Sequence, residues 1–266
     1  MHIGLGLWPS VSYARPSALT VAQQLGLTPA FMLDAGASAS YPGTGQTWFD
    51  LTANDRDFYL GADGSASTDD PTPNGTAGQL SAGEYFGFDG SDKFTAISNG
   101  TFINSLHKDN STTTLILLAR FPNFSANAVM FGTARLTSDI GIRHMIGTSG
   151  QLSIGVNNGG GTFQGLIISS ITATAGRDTF IAISVDEAGG AGASHVRIDD
   201  QVETFDGEIT SPSASAASHN LTIGGNNITT QGFVNGTRVW IAGGFASALT
   251  PAQTGALYAS LIGRAA

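Results

Sequence analysis

The chain has 266 residues, of which 41% are hydrophobic and 12% charged, and its formal net charge is −9. This length can bury one large core. The acidic balance argues against nucleic acid as a partner, because nucleic-acid affinity comes from clustered Lys and Arg and the arginines here are scattered. The sequence contains no cysteine, which excludes disulfides and thiolate metal sites.

Residues 1–29 consist of short apolar pieces interrupted by glycine and proline, and only residues 17–25 have a pattern that predicts a helix. We interpret this segment as an attachment arm that either packs on its own domain or docks onto another subunit. The apolar side chains that would make this contact are those of Leu5, Leu7, Trp8 and Tyr13. Neither a cationic leader nor a run of about 20 apolar residues occurs, so we expect no signal peptide and no membrane insertion.

From residue 30 onward, short apolar runs are bounded by Gly, Asn, Asp and Ser, which predicts many strands joined by turns. The predicted strands are residues 30–33, 58–60, 85–88, 93–97, 113–121, 128–132, 140–146, 151–156, 163–168, 179–185, 195–198, 202–205, 220–223 and 238–245. This number of strands predicts an all-β fold, a two-sheet antiparallel sandwich in which residues 30–266 form one domain.

Two helices are predicted within this domain. Residues 101–107 can form one or two turns. Thr250 and Pro251 have the character of an N-cap and a first helical residue, so they predict the start of a C-terminal helix. Neither helix carries residues that indicate catalysis.

The sequence patterns of common catalytic sites are absent. None of the five histidines has the spacing of a metalloprotease helix, and the Gly-rich loops lack the Lys-Ser/Thr of a phosphate cradle. The nearest carboxylate group is Glu203, Asp206 and Glu208, but along a strand Glu203 points away from the other two. We therefore predict that the protein is not an enzyme, and a sandwich glycoside hydrolase is the less favoured alternative.

An acidic segment offers a candidate metal site. Asp63, Asp69 and Asp70 lie in residues 61–78, which are long for a loop and rich in the oxygen ligands that calcium prefers. Calcium is the candidate cation, and the alternative is a solvated acidic loop.

A carbohydrate site requires an exposed aromatic ring beside amides, because a sugar has an apolar C–H face and a rim of hydroxyls. Phe163 follows an Asn-Asn-Gly-Gly-Gly loop, which favours a position at the rim of the sandwich. Tyr41, Trp48, Tyr59 and Tyr85 are other candidate rings, with burial in the core as the alternative. The predicted carbohydrate-binding residues are Asn157, Asn158, Phe163, Asn226 and Asn227.

Several segments together carry a family resemblance. Residues 85–94, Tyr-Phe-Gly-Phe-Asp-Gly-Ser-Asp-Lys-Phe, are joined by residues 33–35, 40–43, 47–51, 180–186, 196–201, 221–225, 239–245 and 248–253. In order and spacing these segments resemble the concanavalin A-like, laminin G-like jelly-roll domains of phage and bacterial surface proteins. The resemblance covers about residues 30 to 264, and it departs from the family at residues 199–200, which are Asp-Asp where the family usually has an Asp-Gly turn.

The resemblance implies a jelly roll that binds glycans or proteins, often with calcium, although some relatives are glucanases. We therefore expect a non-catalytic binding module on a phage or phage-like virion, at the virion surface or otherwise extracellular, that recognises host-surface polysaccharide. The arm would attach it to other virion proteins, and a homo-oligomer is among the expected states. The alternative is a purely structural decoration or cement protein held by protein contacts.

Overall fold

The computed structural model describes residues 15–161, 163–226 and 231–266. The strands of this part are β1 (Phe31–Asp34), β2 (Thr47–Trp48), β3 (Phe58–Leu60), β4 (Thr72–Pro73), β5 (Phe86–Gly87), β6 (Phe94–Ala96), β7 (Thr112–Arg120), β8 (Ala128–Gly132), β9 (Ile140–Ile146), β10 (Gln151–Asn158), β11 (Phe163–Thr172), β12 (Asp178–Asp186), β13 (Ser194–Ile198), β14 (Gln201–Phe205), β15 (Thr222–Ile223) and β16 (Arg238–Phe245). The helices are α1 (Ala18–Gln24), α2 (Gly100–Ser105) and α3 (Pro251–Leu261), and a 3-10 turn (Ile262–Arg264) follows α3.

The strands form two eight-stranded antiparallel sheets. The back sheet has the order β14-β13-β12-β7-β16-β5-β4, with β1 also paired to β16. The front sheet has the order β11-β10-β9-β8-β15-β6-β3-β2. The prediction of a two-sheet antiparallel sandwich with a C-terminal helix is confirmed.

Two apolar cores lie on opposite faces of the back sheet. In β12, Ile181, Ile183 and Val185 belong to the core between the sheets, whereas Phe180 and Ala182 belong to the core beneath the helices. This alternation follows from the two-residue period of a strand. Because both faces are covered, β7 and β12 are buried along almost their whole length, and each has an apolar run in its middle.

Helices α1 and α3 cover the outer face of the back sheet. Ala18 and Val21 of α1 and Leu257 of α3 belong to the same buried cluster as Trp240 of β16. The predicted N-cap at Thr250 is present, and its side chain forms a capping box with Gln253.

The segment predicted as an arm is described only from residue 15. Within it, Ala18, Val21, Ala22 and Leu27 are buried against the back sheet, so this half of the segment packs on its own domain. Leu5, Leu7, Trp8 and Tyr13 lie outside the described residues, and their attachment role stays a prediction.

Most of the long strands occur close to where they are predicted, and the main differences are two short strands and the end of β11. Strands β2 and β4 have two residues each and were not predicted. Strand β11 continues to Thr172, beyond the predicted end at residue 168, because pairing with β10 extends it. In the described part of the chain, no helix has the length and apolar character needed to cross a membrane.

Candidate binding face

None of the described helices packs on the outer face of the front sheet. Helices α1 and α3 bury the back sheet, and Phe102 and Ile103 of α2 join the core between the sheets. In β9, buried Ile142 and Ile146 alternate with half-buried Arg143 and Met145. This alternation places Arg143 and Met145 on the outer face.

Three neighbouring strands place side chains side by side on this face. Ser153 of β10 is directly opposite Met145 of β9 on one side and Ile168 of β11 on the other. These three residues line one cavity of about 250 Å³ together with Asn127 and Gln151. Ile168 is 71% exposed, which is unusual for so large an apolar side chain on a sheet. We call the residues Arg143, Met145, Ser153, Gly155, Phe163 and Ile168 the front-face patch.

Phe163 lies on the patch in a position that a glycine makes possible. A methyl group added at Gly155 would overlap the ring of Phe163, so the ring lies where a side chain of β10 would otherwise be. The guanidinium carbon of Arg143 is 5.0 Å from the centroid of this ring, within cation–π range. Phe163 as a whole is half-buried, so part of the residue is accessible to solvent.

Asn157 and Asn158 lie next to Phe163 but have structural partners. Asn157 is the direct cross-strand neighbour of Phe163, is fully buried, and donates from Nδ2 to the carbonyl of Leu136 at 2.6 Å. Its Oδ1 is buried without a hydrogen-bond partner in the described part of the chain. Asn158 accepts from the backbone N–H of Gly160 at 2.9 Å, which stabilises the turn.

The two other predicted asparagines do not join this group. Asn226 is buried over β8, its Cβ 3.8 Å from the place where a Cβ of Gly132 would be, and its Nδ2 donates to Gln231 Oε1 at 2.7 Å. Asn227 lies outside the described residues.

The predicted calcium ligands are only partly brought together. The carboxylates of Asp69 and Asp70 converge over Gly61, whereas Asp63 accepts a hydrogen bond from Ser65 in a separate turn. Lys93 forms an ion pair with Asp69. Burial raises the pKa of Asp69, but the pairing with Lys93 and the hydrogen bonds from Ser67 and the backbone together lower it. Among the described residues no group of three or more His, Asp or Glu side chains could hold a metal ion.

Two of the three carboxylates considered for hydrolysis, those of Glu203 and Asp206, have structural partners. Glu203 Oε2 accepts from the backbone N–H of Ser170 at 2.6 Å and from its hydroxyl at 3.0 Å, which links β14 to β11. Asp206 accepts from the backbone N–H of Glu208 at 3.1 Å in the following turn. Neither contact is a catalytic arrangement of two carboxylates about one bond.

Of the other candidate aromatic rings, Tyr41, Trp48 and Tyr85 are packed, whereas Tyr59 is half-buried between the core residues Phe58 and Leu60 and so lies on the outer face of the front sheet. Tyr41 and Trp48 are in the core between the sheets. Tyr85 is half-buried, with its ring centroid 5.6 Å from that of Trp240 and the guanidinium of Arg238 4.7 Å above it. Phe163 does not itself line the cavity of about 250 Å³, but its ring lies over Gly155, two residues along β10 from Ser153, which does.

Sequence reasoning missed Arg143, Met145, Ser153 and Ile168. Arg143 has one local signal, since it interrupts the apolar run of β9 at a position that alternates with buried residues. A second cavity, of about 290 Å³, was also missed. It lies at the end of the back sheet and is lined by Arg177, Asp199, Asp200 and Tyr258 among others.

No protein-family model and no curated protein matches the sequence. Solved structures do share the fold. The binding domain of botulinum neurotoxin serotype G has 11% identity and a TM-score of 0.61, over 87% of this chain and 50% of that one. The binding domain of botulinum neurotoxin DC in complex with SialylT has 12% identity and a TM-score of 0.59, over 89% and 52%.

A Trypanosoma rangeli sialidase in complex with the inhibitor DANA is also similar, with 12% identity and a TM-score of 0.56, over 95% of this chain and 36% of that one. The chain thus spans about half the length of the neurotoxin domains and about a third of the sialidase. At these identities the likeness concerns the fold: the chain is a two-sheet β-sandwich of the kind present in neurotoxin receptor-binding domains and in a sialidase.

Proposed function

We propose that the protein is a non-catalytic binding module of the concanavalin A-like, laminin G-like type, and that the front-face patch binds carbohydrate. The observation that carries this proposal is the ring of Phe163, held over Gly155 on the outer face beside the guanidinium of Arg143. A half-exposed ring stacks on the apolar face of a sugar, while nearby polar groups bind its hydroxyls. Ser153 and Gln151 provide such groups at the adjoining cavity.

The proposed ligand is a host-surface polysaccharide, and the proposed setting is the surface of a phage or phage-like virion. The resemblance over residues 30 to 264 supports the setting. The similar neurotoxin binding domain in complex with SialylT supports a glycan as ligand. In this proposal residues 1–14 contribute to attachment, and calcium is not required for the patch.

A purely structural role is the second candidate, because one observation favours it. Ile168 and Leu136, on or beside the patch, are 71% and 57% exposed, and exposed apolar side chains of this size are typical of protein interfaces. In that role the patch would contact a neighbouring protein of the same assembly.

Glycan binding by the wild type and three variants tests the proposal. Phe163→Ala removes the ring, and Gly155→Ala displaces it, so both should weaken binding in an immobilised-glycan assay by about tenfold. Gly165→Ala is the matched control, because it is the cross-strand neighbour of Gly155 and an added methyl there is 3.9 Å from the ring.

Equal affinities in all four proteins would place the glycan elsewhere. A wild type that binds no glycan at millimolar concentration would contradict the proposal and leave the structural role. Thermal unfolding of each variant distinguishes a lost site from a lost fold.

A further inference from the structure

The guanidinium of Arg143 has unused hydrogen-bonding capacity. Its Nη1 donates to the backbone carbonyl of Arg135 at 3.4 Å, a long contact, and its Nε is buried with no partner among residues 15–161, 163–226 and 231–266. No ion pair to Arg143 occurs within the same residues, and burial lowers its pKa. A partly buried guanidinium without an ion-pair partner destabilises the folded protein unless another group forms hydrogen bonds with it.

The backbone of a second arginine contacts the first, since the carbonyl that accepts from Arg143 Nη1 is that of Arg135. Arg135 belongs to the loop that joins β8 to β9, and its Nε is also buried without a partner in the described residues. The carboxylate of this loop, Asp139, accepts from the backbone N–H groups of Arg135 and Leu136 at 2.7 and 2.8 Å, and its Oδ2 is 3.3 Å from His219 Nε2. Asp139 is therefore engaged by other groups, and it forms no ion pair with either guanidinium.

We infer that the glycan bound by the front-face patch is acidic, and that its anionic group is held by Arg143 with Arg135 beside it. This inference rests on the proposed function. Arginine favours such a group because its planar fork of N–H donors matches the oxygens of a carboxylate or a sulfate ester.

The net charge of the chain makes this arrangement selective. At −9, the protein as a whole repels polyanions, so their binding requires a specific local site. A neutral glycan would leave both arginines uncompensated. The sugar ring would still stack on Phe163, and the anionic substituent would add charge-assisted hydrogen bonds.

Two matched pairs of probes test the inference with the full chain. Polygalacturonate and its carboxyl-reduced form differ by the carboxylate, and dextran sulfate and dextran differ by the sulfate ester. We expect the wild type to bind one of the two charged polymers about tenfold more tightly than its neutral counterpart, since hydrogen bonds to charged groups are worth this much. Which charged polymer shows the preference identifies the anionic group.

Variants of the two arginines test whether these residues cause the preference for the charged polymer. Arg143→Gln should remove the preference for the charged polymer, and Arg135→Gln should reduce it. Arg238→Gln is the control, because this half-buried guanidinium also stacks on an aromatic ring, that of Tyr85, but belongs to the back sheet. Its preference should equal that of the wild type.

Three outcomes are distinguishable. If the wild type binds charged and neutral polymers equally, and Phe163→Ala weakens the binding of both, the inference of an acidic ligand is wrong and the proposed function stands. A preference unchanged in both Arg143→Gln and Arg135→Gln would overturn the assignment to these arginines. A wild type that binds none of the four polymers and no glycan of a wider panel would contradict the proposed function and this inference with it.

Discussion

Asp34 and Arg264 form an ion pair that is closed off from solvent. Arg264 Nη2 is 2.8 Å from Asp34 Oδ1, and the side chains are 3% and 0% exposed. Asp34 also accepts from the backbone N–H groups of Ala18 and Gly36 at 2.9 and 3.0 Å. One carboxylate therefore ties the start of α1 and the end of β1 to the C-terminal turn.

Removal of one partner of this ion pair should strongly destabilise the folded protein. In Arg264→Ala the charge of Asp34 remains buried without its counter-ion, and such losses cost about 3 to 5 kcal/mol. Urea unfolding measures this change. Arg177→Ala is the control, because Arg177 is exposed and surface substitutions stay within about 0.5 kcal/mol. Similar unfolding midpoints for the two variants would show that the pair does not stabilise the fold.

At the scale of elements, strands with a strong internal pattern were predictable and those defined by a partner were not. β7, β12 and β16 have eight or nine residues and long apolar runs, and they occur within one residue of the prediction. β2 and β4 have two residues each, too few to show a period, and exist because β3 and β5 pair with them.

Helix α1 was predicted as an element, but its packing was not. The sequence gives no sign that Ala18, Val21 and Ala22 would cover Trp240 on the back sheet, because that contact spans more than 200 residues of chain. The turn at Asp199 differs from the family sequence but is still formed. The departure from Asp-Gly is tolerated because the positive φ of this turn, 55°, falls on Asp199 and not on Asp200, so residue 200 does not need the backbone freedom of glycine.

Deletions test whether residues 17–29 belong to the sandwich. A chain that begins at residue 30 loses the buried side chains of Val21 and Leu27 and exposes part of the back sheet, at a cost of about 3 kcal/mol or more. We expect a lower unfolding midpoint and aggregation in light scattering. A chain that begins at residue 15 keeps every described contact and should stay soluble. Equal stability of the two chains would contradict the packing of α1.

At the scale of the whole molecule, the two sheets are covered unequally. The back sheet has an apolar core on each face, whereas none of the described helices packs on the outer face of the front sheet, where the proposed glycan site lies. Phe163 could be predicted from its place after a Gly-rich loop. Arg143 and Ile168 could not be grouped with it, since that requires the register of β9, β10 and β11.

One buried histidine lies on each sheet, and both make stability depend on pH. Burial lowers the pKa of His144 on β9 from 6.5 to about 3, and that of His195 on β13 to about 4. The folded state binds these protons more weakly than the unfolded state. Their contribution is therefore complete above pH 6.5 and is lost as the pH falls below it.

Asp92 acts in the opposite direction, because burial raises its pKa from 3.8 to about 7. The folded state binds this proton more tightly, so the contribution of Asp92 is present at low pH and is lost as the pH rises towards 7. The pH profile of the wild type alone therefore mixes the two effects. A variant that changes one group separates them.

His144→Gln isolates the histidine contribution. Between pH 7 and pH 5 the free energy of unfolding of the wild type should fall by about 2 kcal/mol more than that of the variant, because only the wild type must keep an imidazole neutral. Urea midpoints at the two pH values measure the difference, and Asp92 cancels because both proteins contain it. In the variant the backbone N–H of Gly155 loses its contact with Nδ1 of His144, which lowers the free energy of unfolding at both pH values. This loss does not change the difference in free energy between pH 7 and pH 5. Parallel pH profiles would mean that His144 is protonated in the folded protein and that the front sheet admits water to β9.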